Sequence, residues 1–161
     1  MVVATLRDGF YDFFLFLHLV AVVVGFGGVL LNGLYGAQAK KRPGPGGLAI
    51  SEANFFVSTK IAEPAIYLVP LFGFALIGLS DSAWSFSQTW LIASLVLYVI
   101  GLANARLVLV PTMARMIDMM RAGPPDAMKM DSAGRRLAAA GSFSHVIFTA
   151  IMILMIWKPG L

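Results

Sequence analysis

The side chains best equipped for chemistry in this sequence are two histidines, His18 and His145, each embedded in a long apolar run. An ionisable group inside a membrane span is costly and normally faces the interior of the protein or a partner. His18, Ala21, Gly25, Gly28, Asn32 and Gly36 follow one another at spacings of three or four, so they share one helix face, small and polar on an otherwise bulky segment. Gly141, His145 and Thr149 repeat the theme at i, i+4 and i+8. Glycines beside an inward imidazole serve either close helix packing or clearance for a flat macrocycle such as haem b, whose iron the imidazole would hold. On the second reading His18 and His145 are the candidate iron ligands, and Gly25, Gly28 and Gly141 give the ring room.

Depth bears on whether one haem could use both. At 1.5 Å per residue His18 lies about 10 Å below a boundary at Tyr11, and His145 about 20 Å below one at Lys158. Two axial ligands of one haem belong at similar depth. Two separate sites, or one histidine with another axial partner, fit as well.

A second constellation gathers toward the opposite end of the spans: Asn32, Lys60, Glu63, Asn104 and Arg106. A carboxylate between cations at one level is suited to an anionic head group, a haem propionate (Arg106), a quinone oxygen or a proton relay. The structural alternative is an ion-paired network that snorkels to the interface and fixes helix register. The nine methionines raise Cu(I). Without cysteine, and with Met113, Met116, Met119, Met120, Met128 and Met130 clustered away from both histidines, adaptable packing explains them better.

The elements that must position these residues are four apolar runs, Phe13–Gly36, Lys60–Ser80, Trp90–Met113 and Leu137–Trp157. Each is long enough to cross a hydrocarbon core of about 30 Å as a helix. Of the 161 residues 59% are hydrophobic and only 12% charged, which excludes an ordinary soluble domain. Helices satisfy every backbone group internally, and the alternating short strands of a barrel are absent. The fold class expected is therefore all-α, a four-helix transmembrane bundle in a single domain. The first run is too long for a signal-peptide core of roughly 7–15 residues, so it reads as a retained helix.

The net charge of +4 sits between the runs, so it reads as topology rather than nucleic-acid binding. Lys40, Lys41 and Arg42 occupy the first connection, and Arg115, Arg121, Lys129, Arg135 and Arg136 the third; the second, around Asp81 and Trp84, carries no cation. The positive-inside rule then puts connections one and three in the cytoplasm and both termini outside. Tyr11, Trp84, Trp90 and Trp157 all fall at the outer boundary, as an aromatic belt should. After the third span, Met113, Met116, Ile117 and Met120 continue a helical stripe opposite Arg115, Asp118 and Arg121, which predicts an amphipathic extension to about residue 121, ended by Gly123-Pro124-Pro125. Pro64 and Pro70 predict a kinked second helix. No cysteine is present, which excludes iron–sulfur clusters, c-type haem attachment and thiol catalysis, and no phosphate loop, nucleophile elbow or metalloprotease helix appears.

The segment Phe16-Leu17-His18-Leu19-Val20-Ala21-Val22-Val23-Val24-Gly25-Phe26-Gly27-Gly28 resembles the opening of a bacterial family known only as predicted integral membrane proteins of unknown function, and Leu154-Met155-Ile156-Trp157-Lys158-Pro159 is similar to its closing segment. More distantly, both ends and the Lys60…Pro64 start of helix two resemble membrane-bound protoporphyrinogen oxidases and the membrane domain of copper-resistance proteins. The resemblance implies a four-helix bundle in a bacterial inner membrane, with His18 at the position that the oxidases associate with haem and activity. Where those oxidases carry a lysine within helix three, this sequence has Asn104 and Arg106. Only His18 inherits haem affinity this way; His145 rests on its own surroundings.

The expected function is that of a small multi-pass, haem b-binding protein acting in electron transfer or within a membrane redox complex, in contact with lipid and with other membrane subunits or a second copy. The alternatives are a cofactor-free accessory subunit of a larger membrane complex, and an oxidoreductase that works on a quinone or tetrapyrrole through Glu63 and Arg106.

Overall fold

The computed structural model describes residues 2–123 and 125–160, with side chains from Asp8 onward. Helix one is α1 (Val2–Lys41). Helix two joins α2 (Pro45–Val57) through a π-turn at Ser58–Ala62 to α3 (Glu63–Leu79). Helix three is built the same way, from α4 (Thr89–Asn104), a π-turn at Ala105–Leu109 and α5 (Val110–Arg121). Helix four is α6 (Ala127–Trp157). All four are long and apolar enough to cross a membrane, and the described residues contain no strand.

The helices are longer than the apolar runs that announce them. Helix two begins at Pro45 rather than Lys60, and helix four at Ala127 rather than Leu137. Spans of 31 to 35 residues measure about 46–52 Å, well over the roughly 30 Å of hydrocarbon. The excess stands at the basic end. There α2 packs against α1 and α5, and α5 against α6. Two polar residues of this region bond across helices: Glu52 pairs with Arg121 at 2.7 Å, and the Ser58 hydroxyl donates to Asn32 Oδ1 at 2.8 Å. The first turn of α6 is capped by Asp126, whose carboxylate accepts from the Met128 and Lys129 amides. The predicted amphipathic extension is α5, continuous with helix three, with Met113 and Ile117 buried. The α1–α2 turn depends on Gly44 at φ 77 and on Gly47, where a Cβ would run into the Arg42 and Ala39 carbonyls.

Packing is pairwise. Over the spans α3 lies along α1 and α4 along α6, while α3 and α4 share almost no close approach. The pairs meet where Phe26 and Phe148 stack at 4.2 Å among Val29, Ile66, Ile147 and Ile151. Phe16, Val23, Leu107 and Val146 point outward. Large apolar side chains turned away from so small a core identify the lipid-facing surface.

Prolines are accommodated locally. Each π-turn ends just before a proline, Pro64 or Pro111, where the wider turn reorganises carbonyls that lack a donor. Pro70 deprives the Ile66 carbonyl of its helical partner, and the Tyr98 hydroxyl donates to it at 3.3 Å from helix three.

At the other end Trp84 donates its indole N–H to Tyr11 Oη at 3.1 Å and stands edge-on to Trp90. Lys158, in the left-handed conformation at φ 44, places Nζ 3.7 Å over the Trp84 ring. This cluster ties both terminal helices to the second connection, so Tyr11, Trp84, Trp90 and Lys158 share one end of the bundle.

Candidate functional site

His18 projects from α1 onto α3. Its Nδ1 lies 2.9 Å from the Val69 carbonyl oxygen. A carbonyl only accepts, so Nδ1 carries the proton, and in the neutral ring Nε2 keeps its lone pair. Gly73 leaves room beside the ring: a Cβ there would touch His18 Cε1 at 3.4 Å. The imidazole is half-buried, and Phe14 and Phe72, from the same two helices, pair at 6.2 Å.

His145 is placed differently. Its Nε2 is 3.4 Å from the Val29 carbonyl of α1, a long bond across the junction of helices one and four. Val29 follows His18 by eleven positions on one helix, which is about 16 Å along the axis. The two rings therefore occupy different levels and cannot hold opposite faces of one haem. The depth difference expected from the sequence is present.

The glycine face of helix one divides in the same way. A Cβ on Gly28 would lie 2.6 Å from Ala62 Cβ, and one on Gly25 would lie 2.7 Å from Ile66 Cγ1. At both glycines helix two fills the space a side chain would take, which is the close approach that small residues permit between membrane helices. Gly141 has open space beside it.

Glu63 and Arg106, the candidates of the second constellation, do meet: Arg106 Nη1 is 2.9 Å from Glu63 Oε1. Tyr67, one helical turn beyond Glu63, donates its hydroxyl to the same oxygen at 2.6 Å. The carboxylate is mostly covered, at 14% side-chain exposure, while the guanidinium is 56% exposed. Lys60 is exposed on helix two within the π-turn, and Arg106 lies within the other π-turn. Asn104 turns elsewhere, donating to the Ala140 carbonyl and to Ser144 Oγ, both at 2.9 Å, and so ties helix three to helix four. Asn32 accepts from Ser58. The constellation therefore splits into a Glu63–Arg106–Tyr67 cluster and separate interhelical clasps. Tyr67 was legible as an i+4 neighbour of Glu63; Val69, whose carbonyl orients His18, left no mark in the sequence.

Among the described residues no group of three or more His, Asp or Glu side chains gathers to hold a metal ion. A cleft of about 140 Å³ between α2 and α5, lined by Glu52, Phe55 and Arg121 among others, is below the roughly 300 Å³ at which small-molecule pockets begin.

A family profile described as "Predicted integral membrane protein (DUF2269)" matches residues 13–159, nearly the whole chain. The chain belongs to this family. Membership agrees with the four apolar helices and with the first resemblance drawn from the sequence. No curated protein and no solved structure matches the chain. The likenesses to protoporphyrinogen oxidase and to the copper-resistance membrane domain are not shown by these comparisons.

Proposed function

We propose that the protein is a small haem b-binding membrane protein in which His18 is an axial ligand, acting in electron transfer or as a subunit of a redox assembly. One observation carries the reading: the hydrogen bond from His18 Nδ1 to the Val69 carbonyl. Ligating histidines habitually donate the second ring N–H to a carbonyl or carboxylate, which sets the tautomer and raises the basicity of the free nitrogen. His18 has that arrangement inside a span, on a ring about 10 Å from the Tyr11 level. When bound, the haem would supply one-electron chemistry; the chain supplies the oriented imidazole and an apolar surround. By the positive-inside rule the basic end faces the cytoplasm and the tryptophan end lies outside a bacterial inner membrane. The test is the visible spectrum of the protein purified in mild detergent, with and without added haemin. A Soret band supports the proposal, and its absence in both samples overturns it.

A second reading is favoured by His145, Gly25 and Gly28, whose observed partners belong to helix packing. On it the chain is a cofactor-free accessory subunit that docks a larger membrane complex or a second copy. Co-purification with a stable partner, unchanged by His18→Ala and His145→Ala, would support it; a monodisperse monomer that takes up haemin would not.

A further inference from the structure

The Glu63–Arg106 pair sits where a lipid would present its phosphate. Glu63 is sixteen residues from the end of α3 at Leu79, and Arg106 seventeen from the start of α4 at Thr89. Both therefore lie about 24–26 Å below the tryptophan end, just inside the far edge of a hydrocarbon layer of roughly 30 Å. Long cationic side chains at that depth reach the head-group region while their stems stay in the apolar layer.

The surroundings have the shape of a lipid as well as its charge. Toward the tryptophan end helices two and three face each other with almost no close approach, since α3 leans on α1 and α4 on α6, while α2 and α5 pack together at the basic end. Across the gap run the Glu63–Arg106 pair and, farther toward the tryptophan end, the Tyr98 hydroxyl on the Ile66 carbonyl, where Leu97 and Tyr98 also pack against the core that holds Ile66. Beyond Glu63 and Arg106, α3 and α4 carry no other charge. At the basic end of this apolar gap stand Arg106, held by the Glu63 carboxylate, and the exposed Lys60, three positions before Glu63 on helix two: two cations against one carboxylate. The balance is +1. Glu63 engages one Arg106 nitrogen and fixes the guanidinium in place, leaving further donors directed outward. Both cations belong to π-turns, which recur at functional positions in helices.

We propose that this cleft is a binding site for one anionic phospholipid. Arg106 and Lys60 hold the phosphodiester, Tyr67 and Glu63 position Arg106, and the acyl chains run between α3 and α4 toward the tryptophan end. The ligand's single negative charge offsets the net +1 of Lys60, Arg106 and Glu63, and basic sites between spans at this depth are suited to such head groups. The site is independent of His18.

The test uses the full chain, purified and delipidated in mild detergent, then given phosphatidylglycerol or phosphatidylcholine at equal concentration and read by native mass spectrometry. The expected result is one retained phosphatidylglycerol in preference to phosphatidylcholine. Arg106→Gln and Lys60→Gln should each lower its affinity about fivefold, the equivalent of about 1 kcal/mol per cation, with Arg136→Gln, an exposed cation elsewhere at the basic end, unchanged. Should Arg106→Gln fail to fold, Lys60→Gln, outside the ion pair, decides alone. Equal retention of the two lipids, undiminished affinity in the variants, or the same loss in Arg136→Gln overturns the proposal. So does displacement of the lipid by millimolar inorganic phosphate, which would make a free anion the ligand, or preferential, Arg106-dependent retention of an added quinone.

Discussion

Replacing Gly28 by alanine isolates the contact on which the helix one–helix two pair depends. In an unpacked helix the change is favourable by roughly 1 kcal/mol, because alanine is the better helix former. Here the new Cβ would stand 2.6 Å from Ala62 Cβ, about 1 Å inside the ordinary carbon–carbon separation of about 3.5–4.0 Å. The obstacle is a Cβ fixed to backbone, so relief requires the helices to part. Overpacking of this kind costs about 1–3 kcal/mol. Subtracting the propensity gain leaves a net destabilisation of roughly 0–2 kcal/mol for Gly28→Ala. The control is Gly33→Ala on the same helix, where nothing lies within 4 Å, and which should be neutral or stabilising by up to about 1 kcal/mol. The difference between the two variants, about 1–3 kcal/mol, is the quantity to measure, by equilibrium unfolding in mixed micelles. Ala62→Gly should restore much of the loss in Gly28→Ala and little of it in Gly25→Ala, whose nearest obstacle is Ile66 Cγ1 at 2.7 Å. Equal stability of Gly28→Ala and Gly33→Ala, or rescue of both clashing variants alike, would refute the packing derived for this face.

Tyr98→Phe should cost about 1 kcal/mol, the scale of interhelical hydrogen bonds in membranes, and most of that loss should vanish in a Pro70→Ala background, where residue 70 regains an N–H for the Ile66 carbonyl; equal losses in the two backgrounds would argue against that role for Tyr98. Asn104→Ala removes donations to both Ala140 and Ser144 and is expected to destabilise by about 1–2 kcal/mol, with Asn104→Asp no better because it lacks the amide donors. Orientation can be read directly because the chain has no cysteine: a single cysteine at Ser82 should react with an impermeant maleimide on intact spheroplasts, whereas one at Ala133 should react only after lysis, and the opposite pattern would reverse the topology.

What the sequence made legible follows from signals carried by single residue types. Lys40–Arg42 and the cations between Arg115 and Arg136 marked one end, the tryptophans marked the other, and the uninterrupted apolar runs fixed four helices between them. Helix starts were less legible because Ser51, Glu52 and Asn54 lower the hydropathy of α2 although that helix is continuous with the span; Ser51 reaches Met120 and Glu52 pairs with Arg121 on α5, at distances in sequence that no local pattern encodes, and Asn54 is buried with its Oδ1 unpaired. The glycines of helix one announced a close approach without naming what approaches. Ala62 and Ile66 answer that question, and they are too ordinary to stand out in helix two. Pro64 and Pro70 pointed to an irregular helix two, but the Tyr98 donation to the Ile66 carbonyl depends on how helices three and two face each other. The histidines were identified correctly as intramembrane residues that reach neighbouring helices; their separation followed from counting residues, and their individual partners, Val69 and Val29, are backbone carbonyls whose side-chain identity carries no trace of the role.

The haem proposal is tested most directly by the absorption spectrum of the purified protein titrated with haemin, compared with His18→Ala and His145→Ala. A Soret band is expected in the parent protein, with loss or shift in His18→Ala and retention in His145→Ala, whose ring lies about 16 Å away along helix one. A parent protein that binds no haemin, or a spectrum indifferent to His18→Ala, would contradict it.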